Sequence, residues 1–496
     1  MPPSLTARTV RGFAWAFTGS AGQAVLQIGA TIVLARLLTP EEFGSVAAAL
    51  LVVGLAQLVT QLGVAAALVQ RSELTREDEA AAFWFSVLVA ALSAVLLAGC
   101  APVLNPLVGL AADSMLLPLL SLAIVLAGVA AVPLGLLQRH LRFRPMAVVD
   151  LLAAGPGVIG VSVALALAGL GPFALAWAQI VAGLVTAVGY LWLARPSTQL
   201  MTTDAAWARL RPMMRFGSGY SLTQLGNWFA QNADNLVVAN ALGTGPLGVY
   251  SRAYNLLSQP AMVIGGAADK ALFPAMARVR DDGERLRAAY VRAVSLIALA
   301  TIPVAVLLFV LAPEVVRVLL GPRWDAVVLP LQVFALALLP RTSYKISTSL
   351  TRATGAVYRA AWRQWLYAGE VLAFSIVGAR LAGVDGVAIG ASVAIGLHFL
   401  VMLHFSARVS RGLMGAVLRM YGRHLPALVV TIAATLGTAA AVRPLGSDVL
   451  TLVACSAAAA LAAALVLVVL RGWFRAELGV VGSLRGGRAP VTTGRA

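Results

Sequence analysis

The sequence predicts an all-α integral membrane protein with about fourteen transmembrane helices, and three observations support this. The 496 residues are 60% hydrophobic and only 11% charged, with a mean hydropathy of +0.88, whereas soluble domains are roughly a quarter charged. Apolar stretches of about 20 residues, the length that crosses a bilayer as a helix, recur along almost the whole chain. Lys and Arg concentrate in alternate loops between these stretches.

The predicted spans follow one another closely and leave no room for a soluble domain. Among the first six spans, two loops on the same side of the membrane are basic. One joins the second span to the third and holds Arg71 and Arg76, and the other joins the fourth to the fifth and holds Arg139, Arg142 and Arg144. Each span is long enough to cross the membrane, and the set covers residues 13–35, 43–69, 80–102, 114–137, 146–169, 171–194, 216–240, 247–275, 288–312, 326–350, 358–380, 384–406, 424–442 and 449–470.

The charge distribution predicts the orientation of the chain. The net charge is +17, and alternate loops together with both termini hold nearly all of the basic residues. By the positive-inside rule both termini face the cytoplasm, which agrees with an even number of spans in the cell inner (plasma) membrane. Membrane orientation therefore accounts for the high charge, and nucleic acid is not a predicted partner. The basic tail, residues 476–496, is predicted to be disordered and to contact anionic lipids.

An internal repeat divides the predicted helices into two sets of six. Shifting the sequence by 204 positions aligns ARLLTPEEFGSVAAAL, which begins at Ala35, with ANALGTGPLGVYSRAY, which begins at Ala239. Gly44 then meets Gly248, and Gln23 and Gln27 meet Asn227 and Gln231. Because six is even, the two sets insert in the same direction, an arrangement found in several secondary transporters. Substrate would then bind between the two sets.

Polar side chains form a stripe along the seventh span, at spacings of three and four residues that place them on one helical face. Burying unsatisfied amides or charges in hydrocarbon costs several kcal/mol, so this face is predicted to line a water-filled cavity. Weaker glutamine pairs occur in the first and second spans, and these could simply join helices together. The predicted polar residues of the cavity are Gln23, Gln27, Gln57, Gln61, Gln224, Asn227, Gln231 and Asn235.

Five charged residues lie deep within predicted spans, where ionisable groups are usually functional. Asp234 and Arg252 flank a predicted outer turn at residues 241–246, and both lie about 10 Å deep at 1.5 Å per helical residue, so they could form an ion pair that is either functional or structural. Arg341, Lys345 and Glu370 are the other deep charges. If Glu370 has no cationic partner, it is a better candidate for ion coupling than a paired Asp234.

Several other chemistries are not predicted. The sequence has no GxxxxGK[ST] phosphate-binding loop, which argues against a built-in ATPase. His140, His398, His404 and His424 have no metal-ligand spacing, and no Ser-His-Asp arrangement is evident. We therefore predict no enzymatic activity, no metal and no cofactor.

Several stretches of the sequence, in their order and spacing along the chain, resemble the polysaccharide-transport branch of the multidrug/oligosaccharidyl-lipid/polysaccharide (MOP) flippase superfamily. They are LARLLTPEEFGSVA, TQLGVAAALVQR, LLQRHLRFRPMAVVDLL, QNADNLVVANALGTGPLGVYSRAYNLLSQP and ALFPAMARV. The resemblance implies two six-helix lobes around a central cavity, with residues 1–200 and 201–410 as the lobes and two further helices within 411–475. The arginine of YSRAY, Arg252, matches the pattern of the family.

The resemblance also implies a function, which is the transfer of polyprenyl-pyrophosphate-linked oligosaccharides to the periplasmic leaflet by alternating access driven by an ion gradient. The pyrophosphate would be attracted to Arg252, which matches the family pattern, or to Arg341 or Lys345, which are candidates from their depth in the predicted spans alone. A polymerase and a glycosyltransferase of the same pathway would be partners, as would the membrane lipids. Two alternatives are a membrane-embedded polysaccharide polymerase, which tends to have a large outer loop, and a drug or metabolite exporter, which needs an acidic cavity.

Overall fold

A computed structural model describes residues 27, 29–61, 64–71, 73–279, 282–353, 357–409 and 412–469. For a few helical residues, among them 61, 64–66, 215–220, 266–275 and 357–361, only the backbone is described. The chain forms two compact units, Met1–Ser251 and Arg252–Ala496. The lobe boundary near residue 200 stays a prediction.

The first unit consists of helices joined by short turns. After α1 (residues 29–37), the helices are α2 (Pro40–Gln61), α3 (Val64–Gln70), α4 (Arg76–Gly99), α5 (Ala101–Leu107), α6 (Leu116–Arg139), α7 (Phe143–Leu152), α8 (Val161–Leu167), α9 (Pro172–Ala194) and α10 (Thr203–Leu242). A π-helical stretch, Ala153–Gly160, joins α7 to α8 and contains Pro156. Proline has no N–H to donate, which commonly produces such a local widening or kink.

The helix α11 (Thr244–Arg278) begins in the first unit and continues into the second. The second unit then contains α12 (Gly283–Val310), α13 (Ala312–Leu319), α14 (Val328–Ala353), α15 (Val357–Val409), α16 (Leu413–Val442) and α17 (Asp448–Val469). Helix α15 is interrupted at Ala382 and at Gly383, where φ is +57°. This interruption separates the two predicted spans 358–380 and 384–406.

Ten helical segments among the described residues are long and apolar enough to cross a membrane. The described residues form helices and no strands, which confirms the all-α membrane fold. Helices α10 and α11 coincide with the seventh and eighth predicted spans but are more polar than these ten segments. The number of fourteen spans stays a prediction, and most of the first predicted span lies outside the described residues.

Close helix packing in both units depends on small residues. The two parts of α15 approach so closely that a methyl group on Gly378 would overlap the carbonyl of Gly386, and one on Gly390 would overlap the carbonyl of Phe374. Gly386 and Gly390 are four residues apart, the spacing that allows membrane helices to pack backbone to backbone. Larger side chains fill the interior elsewhere, as with Tyr290, Ile297 and Leu350 in the second unit.

Within the first unit, two positions that the repeat aligns contact each other. A methyl group on Gly44 in α2 would overlap the carbonyl oxygen of Thr244 in α11, and one on Gly248 would overlap the carbonyl oxygen of Pro40. Residue 40 shifted by 204 positions is residue 244, and residue 44 shifted in the same way is residue 248. The two contacts are therefore reciprocal, as expected of corresponding segments related by a local two-fold axis.

The segment that joins α9 to α10 is attached to the first turn of α4. Glu79 accepts a hydrogen bond from the backbone N–H of Ser197 at 3.1 Å, and the indole of Trp84 donates to the carbonyl of Thr198 at 3.1 Å. Glu77 forms an ion pair with Arg209 in α10. These contacts fix the connection and the beginning of α10 to the body of the first unit.

Candidate functional site

The polar stripe of the seventh predicted span forms a chain of hydrogen bonds along α10. Asn227 Nδ2 donates to Gln224 Oε1 at 3.1 Å, and Gln231 Nε2 donates to the backbone oxygen of Asn227 at 3.2 Å. Gln231 is exposed, whereas Gln224 and Asn227 are half-buried. These spacings of three and four residues are those of a shared helical face, so the stripe predicted from the sequence is present in this helix.

The end of the stripe is buried inside the first unit. Asp234 is 3% exposed, and its Oδ2 accepts a hydrogen bond from the hydroxyl of Tyr250 in α11 at 2.7 Å. Its Oδ1 accepts from the backbone N–H and the side-chain amide of Asn235, at 2.8 and 3.1 Å. Several hydrogen bonds thus satisfy the carboxylate within the unit. Its ion pair with Arg252 stays a prediction, because that residue belongs to the second unit.

The other predicted amides are less clearly part of one site. Gln57 Nε2 lies 3.5 Å from the backbone oxygen of Ala123, a contact that links α2 to α6. Gln27 is exposed, and its backbone oxygen accepts from the hydroxyl of Thr31 at 2.8 Å. Gln23 and the side chain of Gln61 lie outside the described residues. For Gln57, the structure favours the simpler interpretation that the amide joins two helices.

Arg341 in α14 is held against α11 within the second unit. Its guanidinium carbon lies 4.5 Å from the centre of the Tyr254 ring, a cation–π distance. Its Nη2 lies 3.4 Å from the hydroxyl of Ser258. The buried Nε has no hydrogen-bond partner, and no carboxylate pairs with Arg341 among the described residues. Part of this guanidinium is thus available to an anion.

The ring of Tyr254 is itself supported from the interior of the unit. It packs edge to face against Phe334, with ring centres 5.6 Å apart and planes at 79°. Phe334 is fully buried. Tyr254 is not among the predicted site residues, although it lies within the YSRAY motif only two residues after Arg252. Aromatic residues are too frequent in apolar helices for such a position to stand out.

Lys345 lies one helical turn after Arg341, and its side chain also lies against α11. A methyl group on Gly265 would come within 2.8 Å of Lys345 Cδ and 3.1 Å of its Nζ. The glycine therefore leaves the space that the lysine side chain occupies. Arg252 is half-buried near the beginning of the second unit. The structure thus brings together two of the three predicted cations, Arg341 and Lys345, on one face of α14.

Glu370 in the first part of α15 is half-buried, and its Oε2 has no hydrogen-bond partner among the described residues. One turn earlier, Tyr367 belongs to an aromatic cluster with Tyr344 of α14 and His398 of the second part of α15. His398 is not a predicted site residue, because its spacing from the other histidines is not that of metal ligands. No group of His, Cys, Asp and Glu that could hold a metal occurs in the searched, described part of the chain.

The family of the chain follows from comparison with known sequences. Residues 33–329 match the family described as "Polysaccharide biosynthesis protein". The succinoglycan biosynthesis transport protein ExoT of Rhizobium meliloti (strain 1021) is 30% identical over 325 residues, which are 65% of each chain. The lipopolysaccharide biosynthesis protein WzxC of Escherichia coli (strain K12) is 25% identical over 403 residues, which are 78% of each chain. The match with ExoT therefore spans slightly less than two thirds of that relative.

Solved structures agree on the fold. The lipid II flippase MurJ in an inward closed conformation has a TM-score of 0.70 and 12% identity, over 92% of this chain and 99% of that chain. An inward-facing multidrug resistance MATE family transporter of the MOP superfamily has a TM-score of 0.63 and 18% identity, over 81% and 95%. The fold is therefore similar to those of MOP superfamily transporters, and from its sequence match the chain belongs to the polysaccharide biosynthesis protein family.

Proposed function

We propose that the protein transfers a polyprenyl-pyrophosphate-linked oligosaccharide from the cytoplasmic to the periplasmic leaflet of the inner membrane. The product would serve the synthesis of a cell-surface polysaccharide such as an exopolysaccharide, O-antigen or capsule. Support comes from the family and from relatives named for succinoglycan transport and lipopolysaccharide biosynthesis. The concentration of basic residues in alternate loops further supports cytoplasmic termini.

The observation that carries this proposal is the environment of Arg341. An arginine inside a membrane span is costly unless it is paired or has a function, and among the described residues no carboxylate pairs with this one. Tyr254 holds the guanidinium of Arg341 from one side, while the Nε of Arg341 has no hydrogen-bond partner among the described residues. Guanidinium groups bind phosphate through directional, charge-assisted hydrogen bonds. Together with Lys345 one turn away, Arg341 is suited to a pyrophosphate.

The amides of α10 are suited to the other part of the substrate. Sugar hydroxyls both donate and accept hydrogen bonds, and the amides of Gln224, Asn227 and Gln231 also do both. Gln231 is exposed in the structure, which keeps its amide accessible. We assign sugar binding to these three residues. Asp234 and Asn235 have a structural role in this proposal, because they are buried and bonded within the first unit.

Transport would use alternating access driven by an ion gradient, and Glu370 is our candidate for ion coupling. The described structure supports this choice because Glu370 Oε2 has no hydrogen-bond partner. The absence of a phosphate-binding loop from the sequence supports an ion gradient as the energy source. The protein would act as a transporter and not as an enzyme. A glycosyltransferase would supply the substrate, and a polymerase would use the product.

The test uses purified protein in liposomes that contain a fluorescent polyprenyl-pyrophosphate oligosaccharide. An impermeant quencher reports how much of the headgroup reaches the other leaflet. We expect translocation by the wild type and a loss of roughly tenfold or more for Arg341→Ala, because hydrogen bonds to charged groups contribute about 1.5–3 kcal/mol. Arg252→Ala tests the arginine that matches the family pattern. Arg419→Ala is the matched control, since Arg419 is exposed on α16.

The results separate the function from its site. If the wild type translocates the lipid and both Arg341→Ala and Arg252→Ala still do so, the transport function would be confirmed and the pyrophosphate site would lie elsewhere. A wild type that translocates none of the lipid under several ion gradients would contradict the proposed function. Transport of organic cations by that same preparation would then favour the exporter.

A further inference from the structure

His398 occupies an unusual position in the second unit. It lies in the second part of α15 with 2% of its surface exposed. Its imidazole stacks on the ring of Tyr367, with centres 4.2 Å apart and planes at 23°. The ring of Tyr344 packs against it at 5.0 Å and 77°. Two tyrosines thus enclose the ionisable ring of His398, and the three side chains belong to three helical segments.

Aromatic packing accounts for the ring of His398 but not for its nitrogens. A neutral imidazole has one donor and one acceptor nitrogen, and the buried Nδ1 has no hydrogen-bond partner in the described structure. An unmatched polar atom in such a place costs about 1–3 kcal/mol. A phenylalanine would make the same stacking contact without this cost. The position of Nδ1 therefore suggests a ligand that is small enough to reach it, and a proton meets this requirement.

The charged and titratable neighbours of His398 come from three elements. On α14, Tyr344 lies between two cations, Arg341 and Lys345, in the sequence. On the first part of α15, Tyr367 is followed one turn later by Glu370. On α16, Tyr421 packs against Phe399, the residue after His398, and donates to the hydroxyl of Ser343 at 2.9 Å. Tyr344, which packs against His398, lies three residues after Arg341, so the two side chains are neighbours on one face of α14.

We propose that His398 is a proton-binding residue of the transport cycle, and that its protonation is coupled to anion binding at Arg341. A proton would bind to the lone pair of Nδ1 in the tautomer that carries hydrogen on Nε2, which gives an imidazolium between two tyrosine rings. Aromatic faces stabilise such a cation by about 0.5–2 kcal/mol. This inference deepens the proposed function and rests on it, because it names the proton as the coupled ion and adds His398 to Glu370 as a second residue of the coupling.

The sign of the coupling follows from the charges. A protonated His398 adds a positive charge next to Tyr344, which lies one helical turn after Arg341, so it favours an anion there. By linkage, the bound anion favours protonation of His398 by the same factor. The charges interact through apolar, poorly screened surroundings, where such effects are larger than in water. Protonation and pyrophosphate binding therefore strengthen each other.

The test is a nuclear magnetic resonance titration of the full-length protein labelled with ¹⁵N-histidine. The chain has four histidines, so comparison with His398→Phe, which keeps an aromatic ring, assigns the relevant signal. The probe is inorganic pyrophosphate, added over about pH 3.5 to 8, which extends below the range in which histidine usually changes charge because burial disfavours an imidazolium. We expect pyrophosphate to raise the titration midpoint of His398 by about 0.7 to 2 pH units, which corresponds to roughly a 5- to 150-fold coupling.

Two controls make the result specific. Arg341→Ala should abolish the shift of the His398 midpoint, while His404, exposed on the same helix, should not respond to that substitution. A His398 that stays neutral throughout, or a shift that Arg341→Ala leaves unchanged, would overturn the inference. So would a wild type that does not bind pyrophosphate in calorimetry. Lipid translocation in the liposome assay distinguishes these cases, since the proposed function fails only if translocation is also absent.

Discussion

Gly44 and Gly248 pack backbone to backbone, and the 204-residue repeat aligns these two positions with each other. A side chain on either residue would overlap a carbonyl of the partner helix, which belongs to Thr244 in one case and to Pro40 in the other. Chance similarity between alanine-rich segments would not produce such a reciprocal contact. The finding supports an internal duplication, and it identifies the beginnings of α2 and α11 as a closely packed pair.

Alanine at Gly44 or Gly248 should therefore destabilise the protein. Each new methyl group would meet a backbone carbonyl of the facing helix, so the two helices would have to move apart. Overpacking of this kind lowers the stability by about 1–3 kcal/mol or more. We expect a lower thermal unfolding midpoint and less folded protein for both variants, by similar amounts. Gly437→Ala in α16 is the control, because among the described residues no atom outside the local backbone of α16 lies within 4 Å of its new methyl group, and alanine favours a helix. Equal stability of all three variants would contradict the packing.

Tyr250→Phe and Asp234→Asn test whether the buried aspartate is structural. Removal of the Tyr250 hydroxyl eliminates the 2.7 Å bond to Asp234 and should cost about 0.6–1.7 kcal/mol, the range for side-chain hydrogen bonds in membrane proteins. A double-mutant cycle on thermal unfolding measures the coupling between the two residues. We expect transport per folded molecule to be unchanged. Variants with normal stability but no transport would instead place Asp234 in the transport site.

Glu370→Gln should make transport less dependent on pH. Glutamine resembles a protonated carboxylic acid in shape but cannot release a proton, so a coupling carboxylate cannot be replaced by it. The measurement is headgroup translocation in liposomes at several pH values, with equal amounts of folded protein. Glu284→Gln is the matched control, since Glu284 is exposed in the first turn of α12. Full transport with the pH dependence of the wild type would exclude Glu370 as the coupling residue.

Arg443→Ala should destabilise the second unit more than Glu314→Gln does. Arg443 Nε lies 2.6 Å from Glu314 Oε1, and the Glu314 side chain is only 5% exposed, whereas that of Arg443 is 44% exposed. Removal of the arginine leaves a buried charge without its partner, which is costly, whereas removal of the glutamate leaves an arginine that water can reach.

The double variant Glu314→Gln/Arg443→Ala should regain part of the thermal stability that Arg443→Ala loses. Arg317→Ala is the comparison, because the ion pair of Arg317 with Asp325 is exposed on both sides and should contribute about 0–1 kcal/mol. An Arg443→Ala variant as stable as Arg317→Ala would show that the buried pair has little effect.

The helices could be predicted from hydropathy because membrane spans must be long and apolar. For example, α15 is interrupted at Ala382 and Gly383, which lie between the predicted spans 358–380 and 384–406. Helix ends were less predictable, since α10 begins at Thr203, well before the predicted residue 216, where the chain is too polar to resemble a span. The break between the helices falls within the turn predicted at 241–246 but is shorter, because only Gly243, where φ is +91°, separates α10 from α11. Pro246 falls in the first turn of α11, where proline is tolerated.

The contacts of the site were harder to predict than its residue types. The stripe on α10 follows from spacing alone, and so does the pair Arg341 and Lys345. In contrast, the bond from Tyr250 to Asp234 joins two helices across a turn, and no sequence pattern reveals which hydroxyl reaches a carboxylate. His398 is not among the predicted site residues because sequence motifs reveal sets of ligands, whereas the distinguishing feature of His398 is one buried nitrogen that has no hydrogen bond within the described residues.

The attachment of the α9–α10 connection to α4 has a consequence for biosynthesis. Ser197 follows its partner Glu79 by 118 residues, and Arg209 follows Glu77 by 132. Because the chain leaves the ribosome from its N-terminus, the acidic first turn of α4 is made long before these partners exist. Glu77 and Glu79 therefore lack these partners while α6 and α9 enter the bilayer, whereas Asp78 already has Thr75 and Arg71. The first unit can close only when the beginning of α10 has been synthesised.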